Sequence, residues 1–211
     1  MADEINISID ELFKSMKHSG ALPESDYYQY YHMLSQRKIL INEPIDPRVI
    51  ENVYIPLLEF DNDGTGEPIE IILNTPGGNV LDGMALCDII DHLKTPTTIT
   101  VLTYAYSMGA IILMAGANNP NVHKRCYKHS TAMIHAGQVQ LQGNAPNVKD
   151  QYGFSQKFEE LIRDYTISHT NITNEEYDRM ERYEVYMTSD VMLEKGLVDE
   201  IIGVTDTAKE T

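Results

Sequence analysis

The chain has 211 residues, 42% of them hydrophobic and 23% charged, which suits one globular domain with a sizeable core. Its 16 basic against 32 acidic side chains give a formal charge of −16, which argues against nucleic acid or an anionic membrane as main partner, since both reward a basic face. No apolar run reaches the length of a membrane span, Met1-Ala2-Asp3-Glu4 is unlike a secretory signal, and two cysteines, Cys87 and Cys126, exclude a disulfide framework; a cytoplasmic protein with small buried thiols is expected.

Residues 1–25 form a distinct opening segment. Ser8 with Glu11 three positions on, followed by apolar Ile9, Leu12, Phe13 and Met16, predicts a short amphipathic helix that ends near Gly20, before Pro23. The tyrosines 27, 28, 30 and 31 lack the basic groove that accompanies base stacking, so they are expected to pack between subunits. A strand over 37–42 and a helix over 48–60 come next. The loop 61–67 has Asp61, Asp63 and Thr65 spaced for calcium, but Ile72 stands where a bidentate glutamate is needed, and a surface loop is expected. No phosphate-binding Gly-x-x-x-x-Gly-Lys-Ser/Thr motif occurs, so nucleotide hydrolysis is not expected of this chain. From residue 69 onward strands and helices alternate, through a helix over 80–93, a strand over 97–103 and a helix over 109–117. That order predicts an α/β domain with a largely parallel sheet.

Two stretches carry chemistry. Ala105-Tyr106-Ser107-Met108-Gly109-Ala110 joins a β-branched run to an apolar helix, which exposes a serine beside helix N–H groups that lack intrahelical partners. Ala132-Met133-Ile134-His135-Ala136-Gly137 ends a short strand in a histidine, which alone would usually be structural. Upstream, Asn74-Thr75-Pro76-Gly77-Gly78 is a strand end whose glycines allow close backbone approach. In this order, with 30 residues from Gly77 to Ser107, the three stretches resemble the ClpP family of self-compartmentalising serine peptidases.

The resemblance implies the crotonase-like β-β-α superhelix, a peptidase domain over 26–203, a C-terminal tail over 204–211, and a long handle helix over 148–169. It implies Ser107 as nucleophile, His135 as general base, and the N–H groups of Gly78 and Met108 as oxyanion hole, with no metal or other cofactor. The alternating segment Gly137, Gln138, Val139, Gln140, Leu141 reads as an exposed strand or hairpin, and the resemblance makes it the edge that pairs with an unfolded polypeptide substrate. Partners implied are copies of itself, as heptameric rings stacked into a tetradecamer, and an AAA+ unfoldase. The pattern departs at the third catalytic position. Aligning Met187-Thr188-Ser189 and Lys195-Gly196-Leu197-Val198-Asp199 with the family places Glu184 where aspartate is usual, and Asp178 and Glu181 lie near. Glutamate keeps the charge that would orient His135. That exchange and the unusual opening segment leave open a weak or silent ring subunit, or a virus-encoded maturation protease working without an unfoldase. An acyl-CoA enzyme of the wider crotonase-like group would also use paired N–H groups, but the serine and histidine together favour hydrolysis. The role of residues 1–25 is open between docking a partner, plugging a pore and packing on its own subunit.

Overall fold

The computed structural model describes residues 25–138 and 140–204. The amphipathic stretch 8–16, Val139 and the tail from 205 onward lie outside the described residues.

Helix α1 (Ser25–Ser35) is followed by a turn in which Arg37 takes φ 57°, and then by β1 (Lys38–Ile41). Arg37 is held by its side chain. The guanidinium donates to the carbonyls of Phe60 (2.8 Å) and Glu67 (3.1 Å), lies over the Phe60 ring and pairs with Asp63. The acidic loop uses its carboxylates internally: Asp63 accepts from the Thr65 N–H and hydroxyl, and Asp61 accepts from the N–H groups of Lys94 and Thr95.

Where one helix over 48–60 was expected, a π-helical segment, Ile50–Tyr54, leads into α2 (Ile55–Asn62). Pro56 explains the difference. It has no N–H for the Asn52 carbonyl, and the widened turn, in which the Ile55 N–H reaches the Ile50 carbonyl, accommodates its ring. The Tyr30 hydroxyl donates to the Asn52 carbonyl at 3.4 Å.

Among the described residues the sheet has seven strands. β2 (Ile69–Thr75), β3 (Thr97–Tyr106), β4 (Val122–Tyr127) and β7 (Glu200–Ile202) extend β1 in the order β1-β2-β3-β4-β7, every pair parallel. The long strand β3 forks it. Residues Thr97 to Val101 pair with β4, whereas Tyr104 to Tyr106 pair with β5 (Thr131–Ile134), which in turn runs antiparallel to β6 (Val185–Thr188). The C-terminal end of β3 therefore leaves β4 and meets β5, which brings the serine turn beside the strand ending in His135.

Alternation along β2 sends Ile69, Ile71, Leu73 and Thr75 inward, and the buried residues of α3 (Val80–Asp91) and α4 (Met108–Met114) belong to the same core. All seven residues of α4 are buried, as expected of a helix apolar on every side. Cys87 and Cys126 are fully buried free thiols, and burial pushes Cys126 up to about 11. Helix α5 (Ala145–His169) is the expected handle. Asn144 caps it by accepting from the Asn147 N–H at 3.1 Å, and Pro146 lies in its first turn. Thr166 is its one buried residue, while Tyr152, Phe154 and Leu161 are 53%, 57% and 56% exposed. Its C-terminal half is anchored by Tyr165, whose hydroxyl donates to Asp91 at 2.8 Å. Short helices α6 (Asn174–Met180) and α7 (Ser189–Glu194) flank β6. No helix among the described residues is long and apolar enough to cross a membrane.

The described part of 137–143 departs from the expected hairpin and is irregular. No second strand of this chain pairs with it among the described residues. The backbone of Gln142 is instead exchanged with a side chain of α5: Gln151 Nε2 donates to its carbonyl at 3.2 Å.

Lys124 is 2% exposed and donates to the Gly196 carbonyl at 3.2 Å. Burial pushes its ammonium below the ordinary 10.5, with Asp199 and Asp91 opposing. Between the folded and unfolded pKa values the unfolded chain binds more protons, so this group makes stability rise with pH across that window. Lys124→Met is expected to flatten that rise, read as urea midpoints through the alkaline range; an unchanged slope would mean that Lys124 titrates alike in both states.

Candidate active site

Two turns stack at the C-terminal ends of β2 and β3. Ser107 stands between β3 and α4 with φ 53° and ψ −122°, a conformation costly for a residue with a side chain. The fold holds it there. Its N–H donates to the Met133 carbonyl at 2.7 Å, continuing the β3–β5 ladder, and its carbonyl accepts from the Ala110 N–H at 2.9 Å.

The glycine turn is packed on this serine. A Cβ on Gly77, at φ 90°, would lie 2.5 Å from the Tyr106 carbonyl oxygen and 2.7 Å from Ser107 Cβ. Gly78, at φ 150°, is clamped by Ile45, whose N–H donates to the Gly77 carbonyl (2.9 Å) and whose carbonyl accepts from the Asn79 N–H (2.7 Å). The sequence held no signal for this role of Ile45. The clamp leaves the Gly78 N–H free. Neither it nor the Met108 N–H donates a hydrogen bond among the described residues. The Met108 side chain is buried against Gly83, which fixes the residue after the nucleophile.

His135 follows β5 directly, and its Nε2 lies 3.0 Å from Ser107 Oγ. The parallel pairing of Tyr106 with Met133 brings the two strand ends together, with Ser107 one residue beyond that pair and His135 two residues beyond it. The expected nucleophile and base are thus brought together, over backbone N–H groups available to an anion.

Glu184 is placed differently. The β5–β6 register ends at Ile134↔Val185, so Glu184 is the next residue opposite His135. Its carboxylate, however, accepts from the Tyr186 hydroxyl at 2.8 Å, and no hydrogen bond joins it to His135 among the described residues. The neighbouring candidates face elsewhere: Arg163 on α5 pairs with Asp178 at 2.7 Å and with Glu181 at 3.7 Å.

Beside the pair runs a groove of about 770 Å³. Gly78 lies on one side, Gly137, Gln138, Gln140 and Leu141 on another, and Phe154, Phe158 and Ile162 of α5 give it an apolar wall. Val139 lies outside the described residues.

A mixed α/β fold with a mostly parallel sheet and one long helix fits the ClpP fold. The chain belongs to the Clp protease family, whose model matches residues 23–205. It is 28% identical over 182 residues to a relative from Deinococcus radiodurans described as an ATP-dependent Clp protease proteolytic subunit, covering 86% of this chain and 88% of the relative. It is a protease of the Clp type.

Proposed function

We propose that the chain is a serine endopeptidase that cleaves unfolded polypeptide through an acyl-enzyme on Ser107. The observation that carries this reading is the 3.0 Å approach of His135 Nε2 to Ser107 Oγ at a serine held with positive φ. Ser107 Oγ attacks the scissile carbonyl as His135 takes its proton, and the N–H groups of Gly78 and Met108 receive the oxyanion. The tetrahedral adduct collapses as His135 returns the proton to the leaving amine. Water, deprotonated by the same imidazole, then attacks the acyl carbonyl, and the imidazolium returns the proton to Ser107 Oγ as the acid is released. Glu184 completes the unit by accepting from His135 Nδ1 and stabilising the imidazolium.

Substrate backbone lies along the segment 137–141, of which Gly137, Gln138, Gln140 and Leu141 pair with no strand among the described residues and so leave N–H and C=O groups to an extended peptide. The apolar wall given by Phe154, Phe158 and Ile162 suits a large hydrophobic side chain beside the cleaved bond. Exposed apolar residues along α5 support assembly with further copies, read as heptameric rings stacked into a tetradecamer in the cytoplasm. An AAA+ unfoldase supplies folded substrates in this reading, in keeping with the ATP-dependent description of the Deinococcus relative.

The reading is tested by treating the intact assembly with a small fluorophosphonate and locating the adduct by peptide mass spectrometry. Modification confined to Ser107 is expected. Modification elsewhere overturns the assignment of the nucleophile, and none favours a silent subunit.

A further inference from the structure

We propose that Tyr186 is a positioning residue that holds Glu184 away from His135, so that the resting site is a serine–histidine pair which the carboxylate joins only on leaving the tyrosine. The inference rests on the reading of Ser107, His135 and Glu184 given above.

Three observations carry it. First, the Tyr186 hydroxyl donates to Glu184 Oε2 at 2.8 Å, so the carboxylate already has a partner. Second, the antiparallel register puts Glu184 opposite His135, one step beyond Ile134↔Val185. Residues opposite each other in such a ladder, and residues two apart on one strand, share a face of the sheet. Glu184 therefore stands between two donors on one face, the imidazole across the ladder and the phenol two residues along its own strand. Its extra methylene relative to aspartate gives it the reach to serve either. Third, the Tyr186 ring is seated on one side against a neighbour of the serine. It packs edge-on against Tyr106, with centroids 5.7 Å apart and planes at 88°, and the Tyr106 hydroxyl is itself within 2.9 Å of Thr131 Oγ1. Tyr106 immediately precedes the serine, so the ring that presents the competing hydroxyl is referenced to the nucleophile turn.

The exchange needs little rearrangement. Glu184 is exposed and Tyr186 is 59% exposed, so the carboxylate can turn from one donor to the other without opening the core. The Glu184 carboxylate holds the Tyr186 hydroxyl above its ordinary value, as a charged acceptor does for a phenol that donates to it. A carboxylate shared in this way orients His135 only for the fraction of time that it is off the tyrosine, and the working fraction of the site falls in proportion.

Tyr186→Phe removes the hydroxyl and keeps the ring on Tyr106. On the intact assembly two quantities are read: the rate of fluorophosphonate labelling at Ser107, and the pKa of the His135 imidazole by NMR of ring-labelled histidine, with His135→Ala identifying its resonance. The expected result is labelling faster by about tenfold, the scale of one hydrogen bond to a charged acceptor, together with a raised imidazole pKa. Both gains should vanish in the double variant Tyr186→Phe/Glu184→Gln. An unchanged or lowered pKa in Tyr186→Phe, or a gain that persists without the Glu184 carboxylate, overturns the proposal. The two readings fail separately: absent labelling at Ser107 in every variant removes the peptidase assignment, while the imidazole titration still decides whether Tyr186 withholds Glu184.

Discussion

Ser107→Ala and His135→Ala are each expected to lower cleavage of a short unstructured peptide by about a thousandfold or more, with assembly size unchanged. The magnitude follows from how such a pair works. A serine hydroxyl is a weak nucleophile until a base removes its proton in the transition state, and loss of either partner removes the whole of that gain. The residual rate then comes from the N–H groups of Gly78 and Met108 and from binding in the groove, so the double variant should be little worse than either single one. Both side chains are cheap to shorten. Ser107 keeps its Cβ in alanine, so its strained backbone is not altered, and His135 is only half-buried at the end of β5. Peptide turnover with the size of the assembly measured alongside separates chemistry from folding. Near-normal turnover in His135→Ala would sink the assignment of the base, whatever the labelling of Ser107.

The pair was legible because strand ends and glycine turns leave local marks. A β-branched run before Ser107, an apolar helix after it and Pro-Gly-Gly after β2 are each written in contiguous residues. So were the handle helix, read over 148–169, and the mostly parallel sheet, through alternating strands and helices; the start of the helix at Ala145, capped by Asn144, was not. The position proposed for the third group of the site was legible only as an alignment. That Tyr186 and not His135 holds the Glu184 carboxylate depends on side-chain torsions at the end of β6, and contiguous sequence carries no mark of them. The break in the helix at Pro56 was readable in principle, because a proline without an N–H must disturb the bond to Asn52; the widened turn that absorbs it was not. The described residues of 137–143 depart from the expected strand or hairpin for a simpler reason. Alternation describes side chains, whereas a strand also needs a neighbour for its backbone, and the described residues supply none.

Gly77→Ala is expected to lower labelling at Ser107 by about a hundredfold or more and to cost about 2–4 kcal/mol of stability. Two effects add. At φ 90° a side chain is strained wherever it stands, and at this site its Cβ would lie 2.5 Å from the Tyr106 carbonyl oxygen and 2.8 Å from the Met108 nitrogen. Those atoms are backbone, so the neighbours cannot rotate away. The contact can be relieved only by separating the glycine turn from the serine turn, which moves the Gly78 and Met108 N–H groups apart and swings Ser107 relative to His135. Gly64 supplies the control. It has φ 76°, yet nothing lies within 4 Å of a Cβ built on it, so Gly64→Ala meets the strain without the collision. That variant should lose about 1 kcal/mol and label at the normal rate. Urea midpoints and labelling rates of both variants separate backbone strain from crowding of the site. If Gly77→Ala labels as fast as Gly64→Ala, the stacking of the two turns does not position the nucleophile, and the oxyanion donors must be sought elsewhere.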